Sequence, residues 1–299
     1  MTRTIATDLA RADLPAGVVD AVAAADAAAS SAGVFIRGLD RMAELDAVCD
    51  LFDRIWRFDG GHAPVSSELL RAMSRAGGYV AGAFEGDELV GACVGFFSPP
   101  AEFGLHSHIA GVSPKTRGRS VGFAMKVHQR AWAMAQGLTK ISWTYDPLVG
   151  RNAYFNLVKL GARPAEYLAN FYGPMNDALN AGDDTDRLMV TWQLEDPLVA
   201  AACAGAPSIA DLVAERAAGA QAMLARSDSG DPVRHDVDAR TVLIAVPPDI
   251  ERLRGDDPMS AGRWRLAVRD CLGGLLDQGA RVRGFARSDY YIVDRGDQS

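Results

Sequence analysis

From residue 34 onward the apolar positions of this chain switch between two periods. Val34-Phe35-Ile36-Arg37 makes a short strand, and behind it Leu45, Val48, Cys49, Phe52, Ile55 and Trp56 recur at three- and four-residue steps, the signature of one helical face. Asp40 stands where an N-cap is expected, with Glu44 in the first turns. A shorter helix is predicted over 66–76. Tyr79–Glu85 and Glu88–Phe97 are β-rich runs joined by Gly86-Asp87, a hairpin turn. A further apolar run, Leu105–Val112, closes at Ser113-Pro114. A helix is predicted at 121–136, a strand at Lys140–Tyr145, a helix at 151–160, and strands near 162–173 and 188–194. Strands first, then alternating helices and strands, predict a mixed α/β domain over 34–195.

The flanks differ in texture. Residues 1–33 are Ala-rich and read as a helical arm stopped by Ser30-Ser31-Ala32-Gly33, packing on the body or on a partner subunit, which leaves a homodimer open. After Asp196-Pro197 the stretch 198–240 is rich in Ala, Asp, Gly and Ser, and Arg226–Arg240 reads as an exposed loop. Thr241–Val246 is a buried strand closed by Pro247-Pro248. A helix over about 258–277 carries Trp264, Val268, Leu272 and Leu275, and Arg281–Ala286 with Tyr290–Val293 form a terminal hairpin. The expected organisation is an arm (1–33), an α/β domain (34–195) and a smaller α+β extension or second domain (196–299).

Composition narrows the function classes. The 299 residues suit two domains, and 48% hydrophobic with 23% charged residues is a globular balance. Thirty-one Lys+Arg against 38 Asp+Glu leave a net charge of −7, which argues against a nucleic-acid coat. Cys49, Cys93, Cys203 and Cys271 lie far apart without CxxC spacing, so free thiols in a reducing cytoplasm are expected rather than zinc or disulfides. No run approaches a membrane span, and acids and arginines interrupt residues 1–33 as a secretory segment.

Against this acidic background, Phe103–Tyr145 contains no Asp or Glu but holds Lys115, Arg117, Arg119, Lys126, Arg130 and Lys140. Such a run should carry a positive local potential. At its centre Val112-Ser-Pro-Lys-Thr-Arg117-Gly118-Arg119-Ser120-Val121-Gly122-Phe123-Ala124 reads as strand end, glycine-containing loop and helix start. Free amides at a helix N-terminus beside arginines suit a phosphate or pyrophosphate, with Gly118 and Gly122 permitting close approach; a basic surface turn is the plainer alternative. In the helix behind, Val121, Ala124, Met125, Ala131, Trp132 and Ala135 form the apolar stripe, while Lys126, Gln129 and Arg130 face elsewhere. Neither a P-loop nor a G-x-G-x-x-G is present.

The segment resembles motif A of the GNAT acyltransferase superfamily, [RQ]-x-x-G-x-[GA]: here Arg117-Gly118-Arg119-Ser120-Val121-Gly122, with Ser120 where glycine is usual. Arg119-Ser-Val-Gly122-Phe-Ala124 fits in a second frame. The close Lys159-Leu160-Gly161-Ala162 resembles the end of the family's motif B helix, and Arg151–Gly161 is similar to a bacterial GNAT subgroup linked to N-acylamino-acid metabolism. The resemblance covers roughly 34–195. It implies a mainly antiparallel twisted sheet flanked by helices, with acetyl-CoA or another acyl-CoA as co-substrate, and transfer of an acetyl or succinyl group to a small-molecule amine, amino acids included. A non-catalytic acyl-CoA-binding module is the alternative. The diphosphate would sit on Val112 and Arg117–Ala124, in a gap where strands 105–112 and 140–145 splay apart.

Within that resemblance His106, six residues before Val112, occupies the place of a glutamate base, and His108 lies two residues on, on the same strand face. A His-x-His pair can also ligate metal, but no third ligand follows at a suitable spacing, so no metal is expected. His128, His62 and His235 are not favoured. The position of the usual tyrosine acid is Leu157; Tyr154 is the candidate substitute, with Tyr145 and Tyr172 behind it. Asn152 and Asn156, four apart, would hold the pantetheine arm unless Asn152 only caps the helix, and Arg151 would pair with an acceptor carboxylate unless it is a solvated surface arginine.

Overall fold

The computed structural model of the chain describes residues 14–56, 65–173, 183–287 and 289–296; residues 1–13 of the expected arm and the candidate His62 lie outside the described residues. The chain divides into two units, Met1–Trp143 with Trp192–Ala206, and Thr144–Thr191 with Pro207–Ser299.

In the first unit, α1 (Ala16–Ala32) ends where Gly33 turns left-handed at φ 65°, a conformation that favours glycine. The strands β1 (Phe35–Gly38), β2 (Tyr79–Glu85), β3 (Glu88–Phe97) and β4 (Gly104–Val112) follow one another as antiparallel neighbours. The first residues of β5 (Lys140–Tyr145) then pair parallel to β4. Between β2 and β3, Glu85 pairs with Glu88 across Gly86-Asp87, the two-residue hairpin that the sequence predicts. Gly86 takes φ 58° there, which the tight turn requires.

Alternation along the strands decides what each face receives. Val80, Ala92 and Val94 meet Leu45, Val48, Leu51 and Phe52 of α2 (Met42–Trp56) and Leu70 of α3 (Ser67–Arg75) in one core. Tyr79, next to Val80, points the other way, to His128 and Trp132 of α4 (Val121–Ala135). The apolar face of α2 is therefore the one read from its spacing. Its cap is not: the first turn starts after Arg41, whose N–H donates to Glu44 at 3.4 Å, while the Asp40 carbonyl accepts from Arg71.

The largest departure concerns α4. Lys126, Gln129 and Arg130 do not face solvent; all three are buried. Lys126 and Gln129 turn toward the sheet, to Ser107 and Cys93, and α1 packs on the helix as well, so an amphipathic reading of it fails. Arg130 is accommodated by donating to the Leu194 carbonyl at 2.9 and 2.6 Å, beside α6 (Pro197–Cys203).

In the second unit, α5 (Gly150–Ala153) runs on as a π-helical turn, Tyr154–Lys159. Strands β6 (Arg163–Leu168) and β7 (Arg187–Gln193) pair antiparallel, with Leu168 opposite Arg187. A five-stranded sheet follows, built from β8 (Gln221–Arg226), β9 (Pro232–Arg234), β10 (Thr241–Ala245), β11 (Arg281–Ala286) and β12 (Tyr290–Asp294) in the order β11-β12-β10-β8-β9. The expected loop over Arg226–Arg240 therefore contains a strand, β9, paired antiparallel to β8. The Ala-rich stretch before it contains α6, which belongs to the first unit, and α7 (Leu212–Ala217), N-capped by Asp196 and Asp211. After α8 (Ile250–Asp256), α9 (Pro258–Val268) continues through a π turn (Arg269–Gly273) into α10 (Gly274–Asp277).

Beneath these helices lies a buried ion cluster. Asp146 accepts from Arg265 at 2.9 and 3.0 Å and from Arg254 at 2.5 Å, and Asp183 accepts from the same two arginines. Burial pushes the Asp146 carboxyl up, but Arg265 and Arg254 outweigh it and hold it at about 2. The four cysteines are free, and no described helix is long and apolar enough to cross a membrane.

Candidate active site

The loop from Val112 to Ala124 divides its backbone donors between protein acceptors and unpaired positions. Ser113 accepts from the Lys115 amide, and Pro114–Thr116 forms a short 3-10 turn, after which Gly118 takes φ 85° and Ser120 φ 62°. The Arg117, Arg119 and Ala124 amides donate to Pro114, Thr116 and Ser120 carbonyls. Among the described residues, the amides of Gly118, Ser120, Val121, Gly122 and Phe123 have no protein acceptor. Gly118 and Ser120 are exposed, Gly122 and Phe123 half-buried, and the Val121 side chain is inserted into the core beneath. The unpaired N–H groups of Gly118, Ser120, Gly122 and Phe123, on exposed or half-buried residues at the positive end of a fifteen-residue helix, have a geometry that suits an anion.

Two details of this loop refine the sequence reading. The left-handed turn is made by Gly118 and Ser120, whereas Gly122 is an ordinary helical residue. Half of the cationic run is paired with glutamates from outside it. Arg119 donates to Glu85 at 2.8 and 2.9 Å and to the Ala32 carbonyl at 3.1 Å. Lys115 pairs with Glu88 at 2.8 Å and Lys140 with Glu102 at 3.0 Å. Arg117 is exposed and, among the described residues, is the one cation of the loop without a carboxylate. Antiparallel pairing explains this, because it returns Glu85 and Glu88 alongside the loop.

The fork expected between β4 and β5 is present. Gly104, Leu105 and His106 pair with Lys140, Ile141 and Ser142, and the pairing ends there although β4 runs six residues further. Opposite β3, Val94 faces Ile109 and Gly95 faces Ser107, so His108 is the extra residue of a β-bulge. The bulge breaks alternation: Ser107 is buried toward α4, yet Ile109 packs in the α2/α3 core. Both histidines stay beside Phe96, with ring centroids 5.2 and 5.8 Å from it. His106 is half-buried, with Nδ1 3.4 Å from Ser142 Oγ. Burial, then His108 and Lys126, push its pKa below the usual value; burial does the same for His108. Both imidazoles are thus neutral at pH 7 and able to accept a proton.

The remaining candidates lie in the second unit. Arg151 is engaged in a forked ion pair with Glu251. Asn152 is the third residue of α5, whose cap position is Val149, so it is not a cap. Asn156 is buried within the π turn, where spacing no longer follows a 3.6-residue period. The Tyr154 hydroxyl accepts from Arg287 Nε at 3.0 Å. Tyr145 is fully enclosed with its hydroxyl 3.4 Å from that of Tyr291, and burial raises its pKa. Tyr172 is exposed, 3.4 Å from Thr144 Oγ1. Leu157, in the usual acid position, is buried.

His235 is exposed, and His128 is buried against the Tyr79 hydroxyl at 2.8 Å, with burial pushing it down to about 3. No group of three metal-ligating side chains occurs among the described residues. The group that sequence reasoning missed is Lys126, buried with Ser107, Cys93 and Gln129. The available signal was that positions 122, 123, 129 and 130, its helical neighbours, offer no acid to pair with it.

Residues 45–156 match the model of the acetyltransferase (GNAT) family. Among solved structures, an N-acetyltransferase from Staphylococcus aureus Mu50 is similar at 17% identity and a TM-score of 0.44, covering 54% of this chain and 99% of that one. Mycobacterium smegmatis RimJ, in complex with CoA-disulfide, is similar at 21% identity and 0.47, covering 60% and 92%. The protein yncA from Salmonella typhimurium, with its cofactor acetyl-CoA, is similar at 14% identity and 0.45, covering 55% and 95%. No curated protein matches the chain significantly.

Proposed function

We propose, from the match of residues 45–156 to the model of the acetyltransferase (GNAT) family, that the protein is a CoA-dependent N-acyltransferase acting on the amine of a small molecule. The observation that carries the reading is the set of unpaired amides at Gly118, Ser120, Gly122 and Phe123, none on a buried residue. A diphosphate fits such a set, because each N–H gains an acceptor and the helix dipole favours the charge. Arg117 adds the one uncommitted cation. Acyl-CoA, when bound, supplies a thioester as acyl donor, with acetyl or succinyl as the group. The chain contributes a proton acceptor, His106 with His108 beside it, to take the proton that an ammonium must lose before it can attack. With Leu157 in the tyrosine position, no side chain is assigned as general acid. The subgroup resemblance favours an amino acid as acceptor; Arg151, held by Glu251, is a weaker carboxylate anchor than its sequence position implies.

An acyl-CoA panel scored by free-thiol release against amines, alongside CoA binding by calorimetry, tests the reading. CoA at ~100 Kd should stabilise the protein by ~2.7 kcal/mol. Arg117→Glu should weaken CoA at least about tenfold, less so at high salt, with stability unchanged. Absence of CoA binding would remove the reading altogether, whereas binding without turnover would make this a non-catalytic acyl-CoA-binding module.

A further inference from the structure

Lys126 stands at the fork of β4 and β5. The last paired residues are His106 and Ser142, and the next along each strand are Ser107 and Trp143. Lys126 Nζ reaches both: it lies 3.0 Å from Ser107 Oγ and 3.7 Å from the centre of the Trp143 ring. It also donates to Gln129 Oε1 at 2.8 Å and lies 5.8 Å from the Trp192 ring. The side chain is 5% exposed, and its polar surroundings are Ser107 on β4, Gln129 on α4 and Cys93 on β3. None is a carboxylate. Burying an ammonium without a counter-ion opposes folding, and the rings of Trp143 and Trp192 offset part of the cost. The charge lies directly behind His106, one residue away along β4 and on the opposite face of the sheet.

We propose that Lys126 is a positioning residue of the acyl-transfer site, whose buried ammonium braces the fork and keeps the neighbouring His106 in its neutral, proton-accepting form. This rests on the reading of His106 as the base. The groups around His106 all act in one direction. His108 on its own strand and Lys126 through the sheet disfavour a second positive charge, Phe96 on β3 withholds water, and Ser142 on β5 is neutral. No carboxylate contributes. Lys126 itself is pushed down to about 8 by burial, so its charge is present across the neutral range and is lost just above it.

Histidine Cε1–H titration by NMR, with the pH dependence of kcat/KM, tests the proposal on the full chain. Lys126→Met should raise the His106 pKa by about one unit, a tenfold change in its acidity, and move the acid limb of kcat/KM upward equally. Lys126→Arg should leave both near the wild-type values. In the wild type the His106 resonance should show a second inflection near pH 8, as Lys126 deprotonates, absent from the Met variant. An unchanged His106 pKa in Lys126→Met overturns the proposal. Should that variant not fold, absence of the second inflection in the wild type overturns it. A shifted His106 pKa with an unmoved rate profile would instead overturn His106 as the base and leave the Lys126 coupling standing.

Discussion

At the scale of single residues, backbone conformation and buried charge make separable predictions. Gly118 and Gly122 look equivalent in the motif, but only Gly118 has a positive φ. Gly118→Ala should cost about 1–2 kcal/mol from left-handed strain, although nothing lies within 4 Å of the added methyl. Gly122→Ala, in a regular helix with its nearest contact at 3.6 Å, should gain up to about 1 kcal/mol of stability. Urea denaturation of the two variants measures the contrast, and opposite signs are expected. Ser120, at φ 62°, carries the same strain as Gly118 would with a side chain. Lys126 gives the second prediction. Its pKa falls from 10.5 in the unfolded chain to about 8 in the folded one, so between these values the unfolded state binds the extra proton and stability rises with pH. Lys126→Met should remove a rise of about 2 kcal/mol between pH 8 and 9.5, seen as a flatter plot of urea midpoint against pH. A parallel slope in both proteins would mean that the ammonium is not desolvated.

At the scale of elements, what the sequence made legible was whatever depends on local period. The α2 face, the Gly86-Asp87 hairpin, the run Leu105–Val112 and the start of α4 all follow from spacing and turn residues. What it hid was the consequence of a second layer. Lys126, Gln129 and Arg130 are polar, so they read as lying off the apolar stripe; in the structure Lys126 and Gln129 are buried against Ser107 of β4 and Cys93 of β3, and Arg130 against the Leu194 carbonyl. Likewise, a stretch without acids implies a free cationic patch only until pairing brings in Glu85 and Glu88 from the β2–β3 hairpin. The bulge at His108 had no signal either, because its two histidines share a face under simple alternation and share one in the structure. β4 also approaches α2 closely at Gly111. A Cβ on Gly111 would lie 2.8 Å from Ile55 Cδ1 and from the Trp56 ring, both on α2. Gly111→Ala should therefore cost about 1–3 kcal/mol by overpacking, with a lowered urea midpoint and no change in CoA affinity if only the α2 side is disturbed.

At the scale of the whole chain, the two units are held by different chemistry, and this sets how each should respond to acid. The first unit buries aliphatic and aromatic side chains between sheet and helices, with one uncompensated ammonium. The second adds Asp146, Arg254, Arg265 and Asp183 in mutual contact, with Arg269 donating to Asp186 at 2.9 and 2.6 Å nearby. Such a cluster contributes little net stability when complete, but removing one member leaves the others charged and buried. Asp146→Asn is the informative change, since it deprives two arginines of a shared acceptor while keeping volume. It should destabilise the second unit by about 3–5 kcal/mol. The reporter is Trp264, buried in that unit with Nε1 donating to the Gly230 carbonyl at 3.0 Å. The wild-type pH dependence carries the matching sign. The Asp146 carboxyl is held at about 2 against 3.8 unfolded, so its contribution is complete above pH 4 and is lost as pH falls through 2. Asp146→Asn should abolish that acid loss in the Trp264 signal, and a Trp264 transition with the wild-type midpoint at both pH 7 and pH 3 would show that the arginines find other acceptors.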